Sequence, residues 1–140
     1  MANEAPWPSD DEIRAVFEEA HTIAVVGLSG NPGRPSNEVA RYLQSRGYRI
    51  VPVNPNETEV LGEKAYASLA EVPERIDVVD VFRRPEETPE IADAAADVGA
   101  RVLWLQEGVG NEDAKRIAEE GGLKVFMDMC MSKEGRRLGI

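Results

Sequence analysis

The segment TIAVVGL at residues 22–28 runs directly into a turn dense in glycine and proline, 27–36, and then into a helical pattern carried by Val39, Ala40 and Leu43 and stopped at Gly47. A short branched-apolar run without polar alternation is the mark of a strand covered on both faces, as in a parallel sheet. Strand, glycine-rich turn and helix in that order commit this stretch to a βαβ unit, and the rest of the chain must be compatible with it.

The remaining sequence repeats the alternation. Ser9 and Glu12 form a capping-box pattern ahead of Ile13, Val16, Phe17 and Ala20, which predicts a first helix over 10–20 behind a loose lead at 1–8. Strands are predicted at 49–53, 77–82, 101–106 and 124–127, with one helical turn in the loop over 66–71. Thr88 and Pro89 open a helix that ends at Gly99, and Asn111 caps another that ends at Gly121. Beyond the last strand the sequence reads as a tail carrying Arg136 and Arg137. Five strands alternating with helices imply a three-layer, doubly wound parallel α/β sheet, most simply in the order 3-2-1-4-5. The 140 residues read as one domain, 1–140.

Composition narrows the function. Sixteen Lys plus Arg against 26 Asp plus Glu give a net charge of -10, which opposes nucleic acid and anionic membrane as partners. No basic, apolar leader or membrane-length apolar run occurs, so a cytoplasmic location is expected. The single cysteine, Cys130, and single histidine, His21, cannot form a disulfide or a Cys/His zinc site. Monomer and homodimer, or a protein partner, are equally compatible with the sequence.

Ligands of such sheets bind beyond the carboxyl ends of the strands, so four loops matter. The first places Gly27, Ser29, Gly30, Gly33, Arg34, Pro35 and Ser36 at the mouth of a helix. A turn of this kind offers N–H groups and a helix dipole to a phosphate, and Arg34 adds a forked cation; the plainer alternative is a turn with a capping serine. Ser29 stands where the dinucleotide pattern G-x-G-x-x-G has its second glycine. After the second strand come Val53, Asn54 and Pro55, without the carboxylate that grips the ribose of NAD. Alone, Asn54 and Pro55 would simply turn the chain. The third loop begins Phe82, Arg83, Arg84, Pro85, which gathers positive charge in an acidic chain, with solvated loop arginines and a core Phe82 as the plainer alternatives, and the fourth holds Gln106, Glu107 and Gly108. No P-loop lysine motif is present. His21 reads as structural and Cys130 as a buried filler, with a thiol reactive toward another thiol as its alternative.

Together GLSGNPGRPS, VNPNETEVLGEKAYASL, VDVFRRPEE and LWLQEGV closely resemble the small stand-alone CoA-binding proteins, themselves similar to the CoA-binding amino-terminal domain of the succinyl-CoA synthetase alpha subunit. The resemblance spans about 10–138 and implies a Rossmann-like fold with coenzyme A, or an acyl-CoA, across the carboxyl edge of the sheet. It implies that Gly27, Ser29, Gly30, Arg34, Pro35 and Ser36 hold the phosphates. It further implies that Val53, Asn54 and Pro55 line the adenosine side, that Phe82, Arg83 and Pro85 shape the groove, and that Gln106 and Gly108 lie toward the pantetheine end. The family commonly reads D-R-C followed by E-H near its cysteine; this chain has Asp128, Met129, Cys130 and then Glu134, Gly135, so that arginine and histidine are missing. The chain also stops where the synthetase subunit continues into a domain bearing its phosphorylated histidine, so ligase activity is not implied. The expected function is CoA binding without catalysis; the alternative is a small NAD(P)- or nucleotide-dependent enzyme using the same cleft.

Overall fold

The computed structural model describes residues 8–140, so the expected loose lead falls, apart from Pro8, outside the described residues. Helix α1 (Asp10–Glu19) starts with the expected capping box: Ser9 Oγ accepts from the Glu12 N–H at 3.1 Å, and the Glu12 carboxylate accepts from the Ser9 N–H at 3.0 Å. Strand β1 (Thr22–Val26) leads through the glycine turn into α2 (Pro35–Ser45) and β2 (Arg49–Val53). A two-stranded hairpin, β3 (Glu59–Val60) and β4 (Glu63–Lys64), and a 3-10 turn at Leu69–Glu71 lead to β5 (Val78–Val81). Then come a 3-10 turn at Pro85–Glu87, α3 (Thr88–Asp97), β6 (Val102–Leu105), α4 (Glu112–Glu120), β7 (Lys124–Met127) and α5 (Met131–Leu138).

The five main strands are all parallel and form one sheet in the order β2-β1-β5-β6-β7. The fold is therefore the expected doubly wound, Rossmann-like α/β sheet, but counting sheet strands alone the order is 2-1-3-4-5 rather than 3-2-1-4-5. Hydrogen bonding explains the difference. The outer edge of β2 is already occupied, because Tyr66 N–H donates to Pro52 O at 3.0 Å and Asn54 N–H to Tyr66 O at 2.8 Å. At the opposite end Asp77, just before β5, accepts the N–H groups of His21 and Thr22 at 2.8 and 2.9 Å, which docks β5 beside β1. The connections out of β1 and β5 then run to opposite sides, so the switch point lies between these two strands.

Side chains alternate between two apolar layers, as the pleat of a covered sheet requires. Ile23, Val25, Ile50, Val78, Trp104 and Phe126 face α1, α2 and α5, whereas Ala24, Val26, Val79, Val81, Leu103 and Leu105 face α3 and α4. Trp104 is fully buried, stacks on Phe126 at 5.0 Å, and donates from Nε1 to Met129 O at 2.9 Å, which anchors the loop after β7. Among the described residues no helix is long and apolar enough to cross a membrane.

Two elements depart from the sequence expectation. The hairpin turns on Leu61 and Gly62, both at positive φ, the geometry of a tight two-residue connection. The expected tail folds as α5, because Met131, Gly135 and Leu138 share a helical face; a Cβ on Gly135 would lie 2.6 Å from Tyr42 Oη. Glycine at this position of α5 is thus a close-packing requirement between α5 and α2.

Candidate functional site

The register pairs Val26 with Val53 and Val81, Val81 with Leu105, and Leu105 with Met127, so the carboxyl ends of the strands finish level. Their loops enclose an open cleft of about 1120 Å³ above the switch point. Eleven sequence-predicted residues line it: Gly27, Ser29, Arg34, Pro35, Ser36, Asn54, Phe82, Arg83, Pro85, Gln106 and Gly108. Val53 and Pro55 instead line a second cavity of about 450 Å³ on the α3 side, with Arg83 and Glu87 common to both.

Gly27 brings the two central loops together. Its N–H donates to Val53 O at 2.8 Å, its φ is +89°, and a Cβ there would sit 2.3 Å from Phe82 O. Only glycine accommodates both the left-handed backbone and that approach.

The rest of the turn is not a set of vacant donors. Ser29 N–H donates to Ser36 Oγ at 3.0 Å, Asn31 N–H to Ser29 Oγ at 3.0 Å, and Gly33 N–H to Asn31 Oδ1 at 2.9 Å. Gly30 N–H donates to the Glu57 carboxylate at 2.9 Å, and Glu57, not Gly30, is among the residues that line the cleft. Ser36 is therefore not the helix cap: it is the second residue of α2, whose cap position is Arg34, with no side chain closing the helix end. The dipole of α2 stays open toward the cleft with a guanidinium beside it. Asn54 acts as the plain turn residue, its Nδ2 donating to Leu28 O at 3.0 Å and its Oδ1 accepting from Asn56 N–H at 2.9 Å.

Of the cleft arginines, Arg84 is paired with Glu87 at 3.0 Å and Glu86 at 3.8 Å. Arg34 and Arg83 have no ion-pair partner among the described residues, and Arg83 Nε lies against Gly27. Two guanidinium groups without ion-pair partners among the described residues thus line the same cleft as the amino end of α2, an arrangement chemically suited to a multiply charged anion.

The far end of the cleft is different in character. Gln106, 4% exposed, donates from Nε2 to Asp80 Oδ1 in a short hydrogen bond, and Asp80 Oδ2 is buried without a partner among the described residues. Burial pushes the Asp80 carboxyl up to about 7, against the smaller opposing effect of the Gln106 bond. Gly108 N–H donates to Asp128 Oδ1 at 2.9 Å, and Pro85 O accepts from Asn111 Nδ2 at 3.1 Å, which braces the rim. Cys130 is 9% exposed, packs into the core, lines the cleft and contacts Ser132 Oγ at 3.3 Å. Lys133 bonds Glu107 at 2.9 Å across the same end.

Sequence reasoning missed Glu57, Lys133 and Asp80. Asp80 had a visible signal, a lone acid inside the branched-apolar run VVDVF; Glu57 had none, since only the turn after β2 carries it back to Gly30.

The model of a family described as a CoA binding domain matches residues 21–136. The uncharacterized protein YneT of Bacillus subtilis is 44% identical over 124 residues, which cover 89% of this chain and 92% of the relative. The alpha subunit of an ADP-forming acetate–CoA ligase (II) of Pyrococcus furiosus is 29% identical over 82% of this chain, which spans only 28% of that subunit. Among solved structures, a hypothetical protein from Pyrococcus horikoshii superposes with a TM-score of 0.94 at 39% identity, covering 100% of both chains.

Proposed function

Since the chain belongs to the CoA-binding domain family, we propose that it binds coenzyme A or an acyl-CoA in the cleft at the carboxyl edge of the sheet, without chemistry of its own. The observation that carries this reading is that Arg34 and Arg83, free of carboxylate partners among the described residues, line the same cleft as the amino end of α2, which has no side-chain cap. The phosphates of CoA need this combination of forked cations and helix dipole. The amide arm needs apolar walls with a few hydrogen-bond partners, a role open to Phe82, Val109 and Gln106. Gly27, Ser29, Pro35 and Ser36 shape the phosphate side in this reading, and Asn54 holds the adjoining loops together.

The lack of catalysis rests on the company the candidate groups keep. His21 stands directly before β1, at the edge of the sheet opposite the cleft, the Cys130 thiol contacts a serine hydroxyl, and the neighbouring Lys133 amine is held by Glu107.

One observation favours a second reading, an NAD(P)- or nucleotide-dependent enzyme: Glu57 reaches the glycine turn as a carboxylate that could accept from ribose hydroxyls. Thermal unfolding with CoA, NAD and ADP at equal concentrations separates the two, because a ligand that binds only the folded chain raises its stability by RT ln(1 + [L]/Kd). CoA binding predicts the largest shift with CoA; a shift with NAD alone rejects it. Arg34→Ala should weaken CoA binding by about 1.5 to 3 kcal/mol, the scale of a charged hydrogen bond, measured by calorimetry.

A further inference from the structure

Asp80 is the only charged residue in β5, and its exposure is 0%. It shares the face of Val78, toward α1, α2 and α5. Its register partner on β6 is Trp104, which places Gln106 two residues further along the chain and on the same face. An acid sealed inside a sheet is costly and calls for a role beyond packing.

The hydrogen bond supplies that role. Above about pH 7, where it is ionised, the Asp80 carboxylate can only accept, so Gln106 turns its amide nitrogen inward to meet it, as the bond to Oδ1 shows. The planar amide then points Oε1 the other way. Among the described residues no protein donor reaches Oε1, and the one sealed, unpartnered side-chain atom is Asp80 Oδ2, so Oε1 opens into the cleft that Gln106 lines.

We propose that Asp80 is a positioning residue that never touches the ligand but holds Gln106 with its carbonyl oxygen toward the cleft, selecting a ligand whose arm presents an amide N–H there. This rests on the reading of the cleft as a CoA site. CoA carries such donors in its pantetheine arm, whereas ADP has the nucleotide end alone. Asp80 therefore contributes to the preference for a pantetheine-bearing ligand and not to phosphate affinity.

The test is calorimetric titration with CoA and with ADP, at a pH of about 8.5 where the native carboxyl is ionised, of the native protein, Asp80→Asn and the double variant Asp80→Asn/Gln106→Glu. The amide introduced by Asp80→Asn can both donate and accept, so Gln106 loses its imposed orientation; CoA should bind about fivefold more weakly, the scale of one ordinary hydrogen bond, with ADP unchanged. In the double variant that amide donates to the carboxylate introduced at position 106, whose second oxygen again faces the cleft, and CoA affinity should recover. The Gln106 side-chain NH₂ resonances report orientation independently: slow exchange in the native protein should become fast in Asp80→Asn. Unchanged CoA affinity in Asp80→Asn, an equal loss for ADP, or a double variant no better than the single one overturns the proposal. A native protein that binds ADP but not CoA rejects the reading of the ligand, and with it the selection by Gln106; slow NH₂ exchange would then still mark the Asp80 bond as real.

Discussion

Replacing Asp80 by asparagine should change how stability depends on pH. The carboxyl stays protonated up to about 7 in the folded chain because burial opposes its ionisation, against 3.8 without that burial. Over the intervening range the folded state holds one more proton than the unfolded state. The stability of the native protein should therefore fall as pH rises through this range and level off above about 7. From about pH 5.5 to about pH 8 this group alone removes roughly 2 kcal/mol, since each pH unit between the two values is worth about 1.36 kcal/mol. Asp77 and Glu74 change stability in the opposite sense. The carboxyl of Asp77 is lowered because, although burial is its largest single influence and acts upward, the N–H bonds from Thr22 and His21 and the nearby arginines together outweigh it. That of Glu74 is lowered chiefly by its bond to Arg49. Both are common to the two proteins and cancel in the difference. Urea unfolding of native and Asp80→Asn protein at the two pH values measures that difference directly. The variant should gain on the native protein by about 2 kcal/mol at the higher pH. A difference that stays constant within a few tenths of a kcal/mol would mean that Asp80 is ionised throughout and that the burial argument fails.

Gly27→Ala should cost about 2 to 4 kcal/mol of unfolding free energy, since the new Cβ meets Phe82 O and the backbone is left-handed; a loss under ~0.5 kcal/mol would show that the two loops are not held in contact. Glu57→Gln removes a negative charge from the cleft wall and should tighten CoA binding about three- to tenfold at low salt; weaker binding would mean that the carboxylate accepts from the ligand. Alkylation of Cys130 should be slow in the free protein and slower still with saturating CoA, as followed by intact mass; no protection would place the ligand elsewhere.

Where each residue's neighbours lie close in the chain, its role is legible from local spacing alone. The branched-apolar runs, the capping box at Ser9 and the cap at Asn111 act through local hydrogen bonds and burial on a fixed period, and all three appear where expected. The same logic places most of the cleft residues, because loops after parallel strands must emerge on one edge. The roles that depend on distant partners are not legible. The segment around Gly135 reads as a tail until Tyr42 stands against it, and Ser36 reads as a cap until Ser29 takes its hydroxyl. Gly30 reads as a phosphate donor until Glu57 accepts its N–H.

The sequence by itself determined the class of fold, a covered parallel sheet, and gathered arginines into the loops at its carboxyl edge, since both follow from short-range periodicity and chain direction. Only the tertiary structure decided that β5 inserts beside β1, because that depends on Tyr66 occupying one edge of β2 and Asp77 capping the start of β1 across 55 residues of chain. That choice sets Arg83 over Gly27 and Asp80 under Gln106. Pairing between strands far apart in sequence is governed by which hydrogen-bonding edge remains unfilled, a quantity that no local pattern encodes.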